Sequence, residues 1–189
     1  MARRDSAETD EGCWPELTVA VQPPEAPPFL SPPNRPKHAA MAEVLFYHLT
    51  ESTLQDALPG LLERSLARGW RAVVQSGSEE RRDALDQHLW TFRDDSFLAH
   101  GTDRDPHAAE QPVLLTTTDA NPNGAQIRFL VDGAAPPDLS AYERAVFLFD
   151  GHDAEQLAAA REHWKAMKAG GHDVTYWQQT ADKKWERKA

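Results

Sequence analysis

The residues best suited to chemistry lie late in the sequence, where Arg161, Lys165 and Lys168 recur at i, i+4 and i+7. At about 100° per residue, that spacing puts all three on one arc of a helix. Leu157, Ala160, Trp164 and Met167 fall on the adjoining apolar arc, with Trp164 at the border. A cationic stripe beside an aromatic can capture an acidic peptide or an oligonucleotide. The cations take the anionic groups, and Trp164 with Met167 offers an apolar seat. The same pattern also describes a solvated helix face whose lysines suit the negative end of the helix dipole. Residue types alone leave both readings open. The partition of charge is the sharper signal. The chain has 20 Lys and Arg against 30 Asp and Glu, a net charge of −10. Residues 41–152 carry nine cations against eighteen acids, whereas residues 153–189 carry seven against six. An excess of acid opposes the bulk attraction behind non-specific DNA binding, so direct DNA contact is expected to be weak or indirect.

Other candidate chemistry is thinner. Neither Gly-x-Gly-x-x-Gly nor the Walker pattern occurs, which leaves Ser76-Gly77-Ser78 as the nearest approach to a phosphate-binding turn. Ser76 and Glu79 have the spacing of a capping box, which explains the same residues as a helix start. The eight histidines, among them His48, His88, His100, His152, His163 and His172, show no paired metal-ligand spacing. Asp103 and Asp105 read as a solvated turn, and Asp150-Gly151-His152-Asp153 as a tight turn with an N-cap. No Gly-x-Ser-x-Gly elbow is present, and one cysteine, Cys13, allows neither a disulfide framework nor a cysteine-only zinc site. No catalytic residue, metal or cofactor is expected. The competing possibility is a nucleotide-binding or enzymatic protein on the same fold.

The elements that position these residues follow from the periodicity. Residues 1–40 hold eight of the 14 prolines and read as a disordered, Pro-rich extension. Met41, just ahead of Val44-Leu45-Phe46-Tyr47, reads as the natural start. A chain shortened to begin at Met41 is expected to melt within error of the full chain. A clear drop in a thermal scan would show that the extension docks on the domain. From Glu43 strands and helices alternate, which predicts a single-domain, three-layer α/β sandwich over residues 41–180 with a mostly parallel, Rossmann-like sheet. Residues 181–189 read as a charged tail. Pro59 predicts a kink, or a helix start near Leu58. Ala145-Val146-Phe147-Leu148-Phe149, apolar on both faces, is expected at the sheet's centre. Asn121-Pro122-Asn123-Gly124 is a turn between the strands at residues 112–117 and 127–131. Residues 97–101 have no clear type. No run approaches a membrane span and no secretory signal is seen, so the expectation is a cytoplasmic protein.

Several segments in order also resemble one family. They are Val44-Leu45-Phe46-Tyr47, Gly69-Trp70-Arg71, Leu85-Asp86-Gln87-His88-Leu89-Trp90, Ser96-Phe97-Leu98-Ala99-His100, Gln111-Pro112-Val113-Leu114-Leu115 with Asn123-Gly124, and Ala160-Arg161-Glu162-His163-Trp164-Lys165. From Met41 to about Trp177 the chain is similar to the chi subunits of the bacterial DNA polymerase III holoenzyme. The resemblance implies a non-catalytic replication adaptor on an α/β fold. It implies that Arg161, Trp164, Lys165 and Lys168 bind the acidic C-terminal tail of the single-stranded DNA-binding protein. Leu157 and Trp164 replace a more basic and a tyrosine-type position of familiar members, which makes the stripe more apolar. Trp90, Phe97 and His100 match the region facing the psi subunit, the link to the clamp loader. Ordinary core packing would account for the same three residues.

Overall fold

The computed structural model describes residues 42–188. In chain order the elements are β1 (Glu43–Leu49), α1 (Leu54–Ala67), β2 (Ala72–Gln75), α2 (Glu79–Thr91), β3 (His100–Thr102), β4 (Val113–Thr116), β5 (Ile127–Leu130), β6 (Arg144–Asp150), α3 (Ala154–Ala169), β7 (Asp173–Gln179) and β8 (Trp185–Arg187). One eight-stranded sheet runs β3-β4-β2-β5-β6-β1-β7-β8. Every neighbouring pair is parallel except β7 with β8. β6 lies mid-sheet and is buried along its length up to Asp150, as its unbroken apolar run requires.

Alternation along the strands divides the core in two. Leu45, Tyr47, Val146 and Leu148 face α1 and α2, packing on Leu58, Leu61, Leu62, Leu85 and Leu89. Val44, Phe46, Phe147 and Phe149 face the other way, toward Ala160 of α3 and toward Ala134, Leu139 and Tyr142 of the connection before β6. Three layers result. Beyond α3 the second face is covered by loops, and these are fastened by Arg128 of β5. Its buried guanidinium donates to the carbonyls of Thr118, Asp119 and Ala120, to Gln75 Oε1 and to the Tyr142 hydroxyl.

Three expectations are corrected. First, α1 starts at Leu54, not near Leu58, and Pro59 lies inside it. Thr53 and Asp56 form the capping box that sets this start. Pro59 has no N–H for the carbonyl of Gln55, but His88 Nε2 of α2 lies 3.0 Å from that oxygen and supplies the missing donor. Second, the cap of α2 is Ser78, whose hydroxyl accepts from the Arg81 N–H, while Ser76 donates to the Ser78 carbonyl. The expected strands β4 and β5 are present, consecutive but not neighbours, because β2 lies between them. The turn joining them is tied down by Asn123, which donates to the carbonyls of Ala72 and Gln111. Third, the stretch read as a charged tail over residues 181–189 contains a strand. Trp185–Arg187 form the antiparallel edge strand β8, and the Trp185 ring meets Tyr47 edge-on at 4.6 Å. The segment of unclear type contributes β3, at the opposite edge of the sheet. Residues 1–40 lie outside the described residues.

Candidate functional site

Asp153 starts α3 by accepting from the N–H groups of Glu155 and Gln156, and Gly171, at φ 80°, follows its end. The helix packs its Leu157–Ala160–Trp164 arc over β6, β1 and β7. The packing does not close at the outer end. A groove of about 370 Å³ remains, walled by Leu157, Ala160, Arg161, Trp164 and Lys165, and floored by Phe46, His48, Phe149 and Tyr176. The floor is aromatic and continuous. Phe46 stacks on Phe147 at 4.5 Å, His48 on Phe149 at 5.1 Å, and Trp164 meets Phe46 and Tyr176 edge-on at 5.3 and 6.0 Å. Such a surface seats a flat or branched apolar group.

The cations rim this floor unequally. Arg161 is exposed at the wall, and no described carboxylate lies within ion-pairing distance of it. Lys165 is held by Glu162 at 2.8 Å, a contact that keeps the Glu162 carboxyl below its ordinary range. Both partners are exposed, so an incoming carboxylate competes only with a weak, solvent-screened pair. Lys168 does not line the groove. Its ammonium lies 4.7 Å from the Trp164 ring centroid, behind the wall. Met167 is likewise outside the lining, so Phe46, Phe149, Leu157 and Trp164 make the seat. Burial lowers the His48 pKa and raises that of Tyr176, with Arg161 and Lys188 opposing the second shift.

Trp90, Phe97 and His100 come together on the opposite side of the sheet, with Trp90 6.0 Å from Phe97 and 4.8 Å from His100. They differ in role. Trp90 is 58% exposed and Phe97 74% exposed. The His100 side chain is fully buried, its ring nitrogens near the carbonyls of Leu98 and Asp86 at 2.7 and 3.2 Å, and it props Trp90 from below. Phe97→Ala is therefore expected to cost under about 1 kcal/mol, whereas burying a Phe is worth about 3–5 kcal/mol against Ala. A thermal scan distinguishes the two, and a loss of the larger size would mean that Phe97 is packing the core.

The remaining candidates resolve into structural contacts. A Cβ on Gly77 would come 2.5 Å from the Asp132 carbonyl, so the Ser76-Gly77-Ser78 turn is glycine for close packing against the chain after β5. Asp103 pairs with the buried guanidinium of Arg82 at 2.8 Å, and Asp105 accepts from the Thr102 N–H. Among the described residues, no three His, Cys, Asp or Glu side chains gather as metal ligands would. No described helix is long and apolar enough to cross a membrane. Sequence reasoning missed the groove floor. Its only trace is aromatic or imidazole side chains on three strands, Phe46 and His48 of β1, Phe149 of β6 and Tyr176 of β7, which only the strand register brings to one face.

Fold and groove define a class: a mostly parallel α/β domain with a cation-rimmed apolar groove on one face of its sheet and an exposed aromatic pair on the other. The chain belongs to the DNA polymerase III chi subunit (HolC) family, whose model matches residues 41–175. It is similar to the probable DNA polymerase III subunit chi of Rickettsia prowazekii (strain Madrid E), at 26% identity over 100 residues. That similarity spans 53% of this chain and 59% of the relative's length. The α3 stripe lies within the matched stretch, and Tyr176 with all of β8 lies beyond it.

Proposed function

We propose that this chi-family chain is a non-catalytic adaptor, joining the clamp-loader side of a DNA polymerase III assembly to the acidic C-terminal tail of single-stranded DNA-binding protein. The observation that carries the reading is the α3 groove, with an apolar aromatic floor and a cationic wall on a chain of net charge −10. A tail of carboxylates ending in an apolar residue complements both parts. Its last side chain enters between Trp164, Leu157 and Phe149, and its anionic groups meet Arg161 and Lys165. The excess acid elsewhere on the chain repels the rest of an acidic partner, so charge favours this one face. The exposed Trp90–Phe97 pair, across the sheet from the groove, suits the second connection, to a psi subunit or the clamp loader directly. With the two contacts on opposite faces, one partner does not block the other.

Isothermal titration tests this reading. An aspartate-rich peptide ending in phenylalanine is expected to bind, whereas ATP, NAD and a bare oligonucleotide are not. Binding by ATP or NAD without the peptide would replace the adaptor reading with a nucleotide-binding one.

A further inference from the structure

We infer that the β7–β8 hairpin extends the groove beyond α3, with Lys188 as a second cationic wall that draws the acidic stretch of a docked peptide across β7 toward the sheet edge. The inference rests on the tail-docking reading above. To that reading it adds a specificity residue and a path for the peptide. The family match ends at residue 175, so membership assigns the hairpin no role.

Strand register puts Lys188 at the groove. Phe46 of β1 is opposite both Phe147 of β6 and Tyr176 of β7. β8 runs antiparallel to β7, with Trp177 opposite Arg187 and Gln178 opposite Glu186. The Lys188 N–H continues this ladder, donating to the Tyr176 carbonyl at 2.9 Å. Lys188 is therefore opposite Tyr176, and directly opposed residues put their side chains on one face of a sheet. One row across the sheet reads Phe147, Phe46, Tyr176, Lys188: three aromatic rings and then a cation. Side-chain contacts agree with the register. Lys188 Nζ pairs at 2.8 Å with Glu186, two residues away and so on the same face. Arg161 from α3 and Lys188 from β8 both act on Tyr176, each opposing the rise that burial gives its pKa. Two elements thus flank one ring with positive charge.

The strand spacing decides which acid Lys188 meets. The seat proposed above lies over Phe149 of β6, and β8 is three strands away. Strands lie about 4.8 Å apart, so the path is about 14 Å, or four residues of extended chain at about 3.4 Å each. Arg161 and Lys165 take the acids nearest the seated residue, and Lys188 takes one about four residues upstream. The Lys188–Glu186 pair is exposed and solvent-screened, so it yields to an incoming carboxylate. The other route, along α3, offers less, because the Lys168 ammonium lies on the Trp164 ring behind the wall.

The test is a double-mutant cycle read by isothermal titration. The reference peptide is a run of aspartates ending in phenylalanine, and each variant peptide has one aspartate changed to asparagine. All are titrated into the parent chain, Lys188→Gln and Lys183→Gln. Lys183 is the control: it carries the same charge in the same hairpin but acts on Asp56 of α1, on the sheet's other face. Lys188→Gln should weaken the reference peptide about two- to fivefold, the size of one exposed ion pair, without moving the melting temperature. Asparagine at one of the third to fifth positions before the phenylalanine should cost the parent the same factor and cost Lys188→Gln nothing. Asparagine next to the phenylalanine should weaken both chains alike, and Lys183→Gln should bind as the parent does. Equal weakening by Lys188→Gln and Lys183→Gln would mean that total charge alone matters, and the inference is overturned. It is also overturned if Lys188→Gln has no effect, or if Lys188 couples to the acid next to the phenylalanine. If the parent binds no acidic peptide, the tail-docking reading itself fails and this inference falls with it.

Discussion

Arg161→Ala is expected to weaken binding of the acidic tail peptide by roughly 10- to 150-fold, the span of one charge-assisted hydrogen bond. Arg161 is exposed on the groove wall and has no described carboxylate partner, so its removal leaves the fold's own ion pairs intact. The melting temperature should stay where it was, since exposed charges contribute about 0–1 kcal/mol to stability. Lys165→Ala should act in the same direction but less strongly. Its ammonium is already shared with Glu162, and part of what it offers a ligand replaces that contact. The reverse change, Glu162→Gln, should strengthen peptide binding for the same reason. Both cations are solvated, so affinity should fall as salt rises through the range where the Debye length drops to about 8 Å and below. Titration at two salt concentrations measures all of these effects. Unchanged affinity in both Arg161→Ala and Lys165→Ala would remove α3 from the site and leave its stripe as ordinary solvated surface.

The largest effect on stability is expected from Arg128→Met. Arg128 is 0% exposed on β5, and its guanidinium is satisfied by loop carbonyls, Gln75 and Tyr142 rather than by a carboxylate. Methionine fills similar space but donates nothing. The carbonyls of Thr118, Asp119 and Ala120 would remain in place without their donor, and the cation above the Tyr142 ring, 5.4 Å from its centroid, would be lost. Each buried acceptor left without its donor costs about 1–3 kcal/mol, so losing several together costs roughly 3–5 kcal/mol after partial relaxation. For a chain of this size that lowers the melting temperature by roughly 10 °C. Peptide binding at a temperature where the variant is folded should be unaffected, because Arg128 does not line the groove. A melting temperature within about 2 °C of the parent would show that water replaces the guanidinium and that the loops do not depend on it.

Arg128 also marks where the sequence stops being informative. In Ile127-Arg128-Phe129 it looks like the solvent-facing residue of a strand, and only the loops crossing that face make it a buried anchor. Pro59 is a second case. A proline six residues into a helix reads as a boundary, but the donor it lacks is supplied by His88 from another helix, 29 positions later in the sequence. β3 and β8, three residues each, are too short for any periodicity and exist because a neighbouring strand offers hydrogen bonds. Other features were legible because their causes are local. The alternation of strand and helix, the parallel sheet with its apolar β6, the capped helix α3 and its cationic arc follow from spacing along a few turns of chain. Arg161, Trp164 and Lys165 were found in the sequence because one helix carries them all. Phe46, His48, Phe149 and Tyr176 were not, because the floor is made by side chains that the strand register puts on one face of β1, β6 and β7, strands adjacent in the sheet but far apart in the sequence. Periodicity along the chain can assign a residue to a face. Which residues from distant strands share that face, and whether a groove is left between them and a helix, depends on strand order and on side-chain volumes meeting in space.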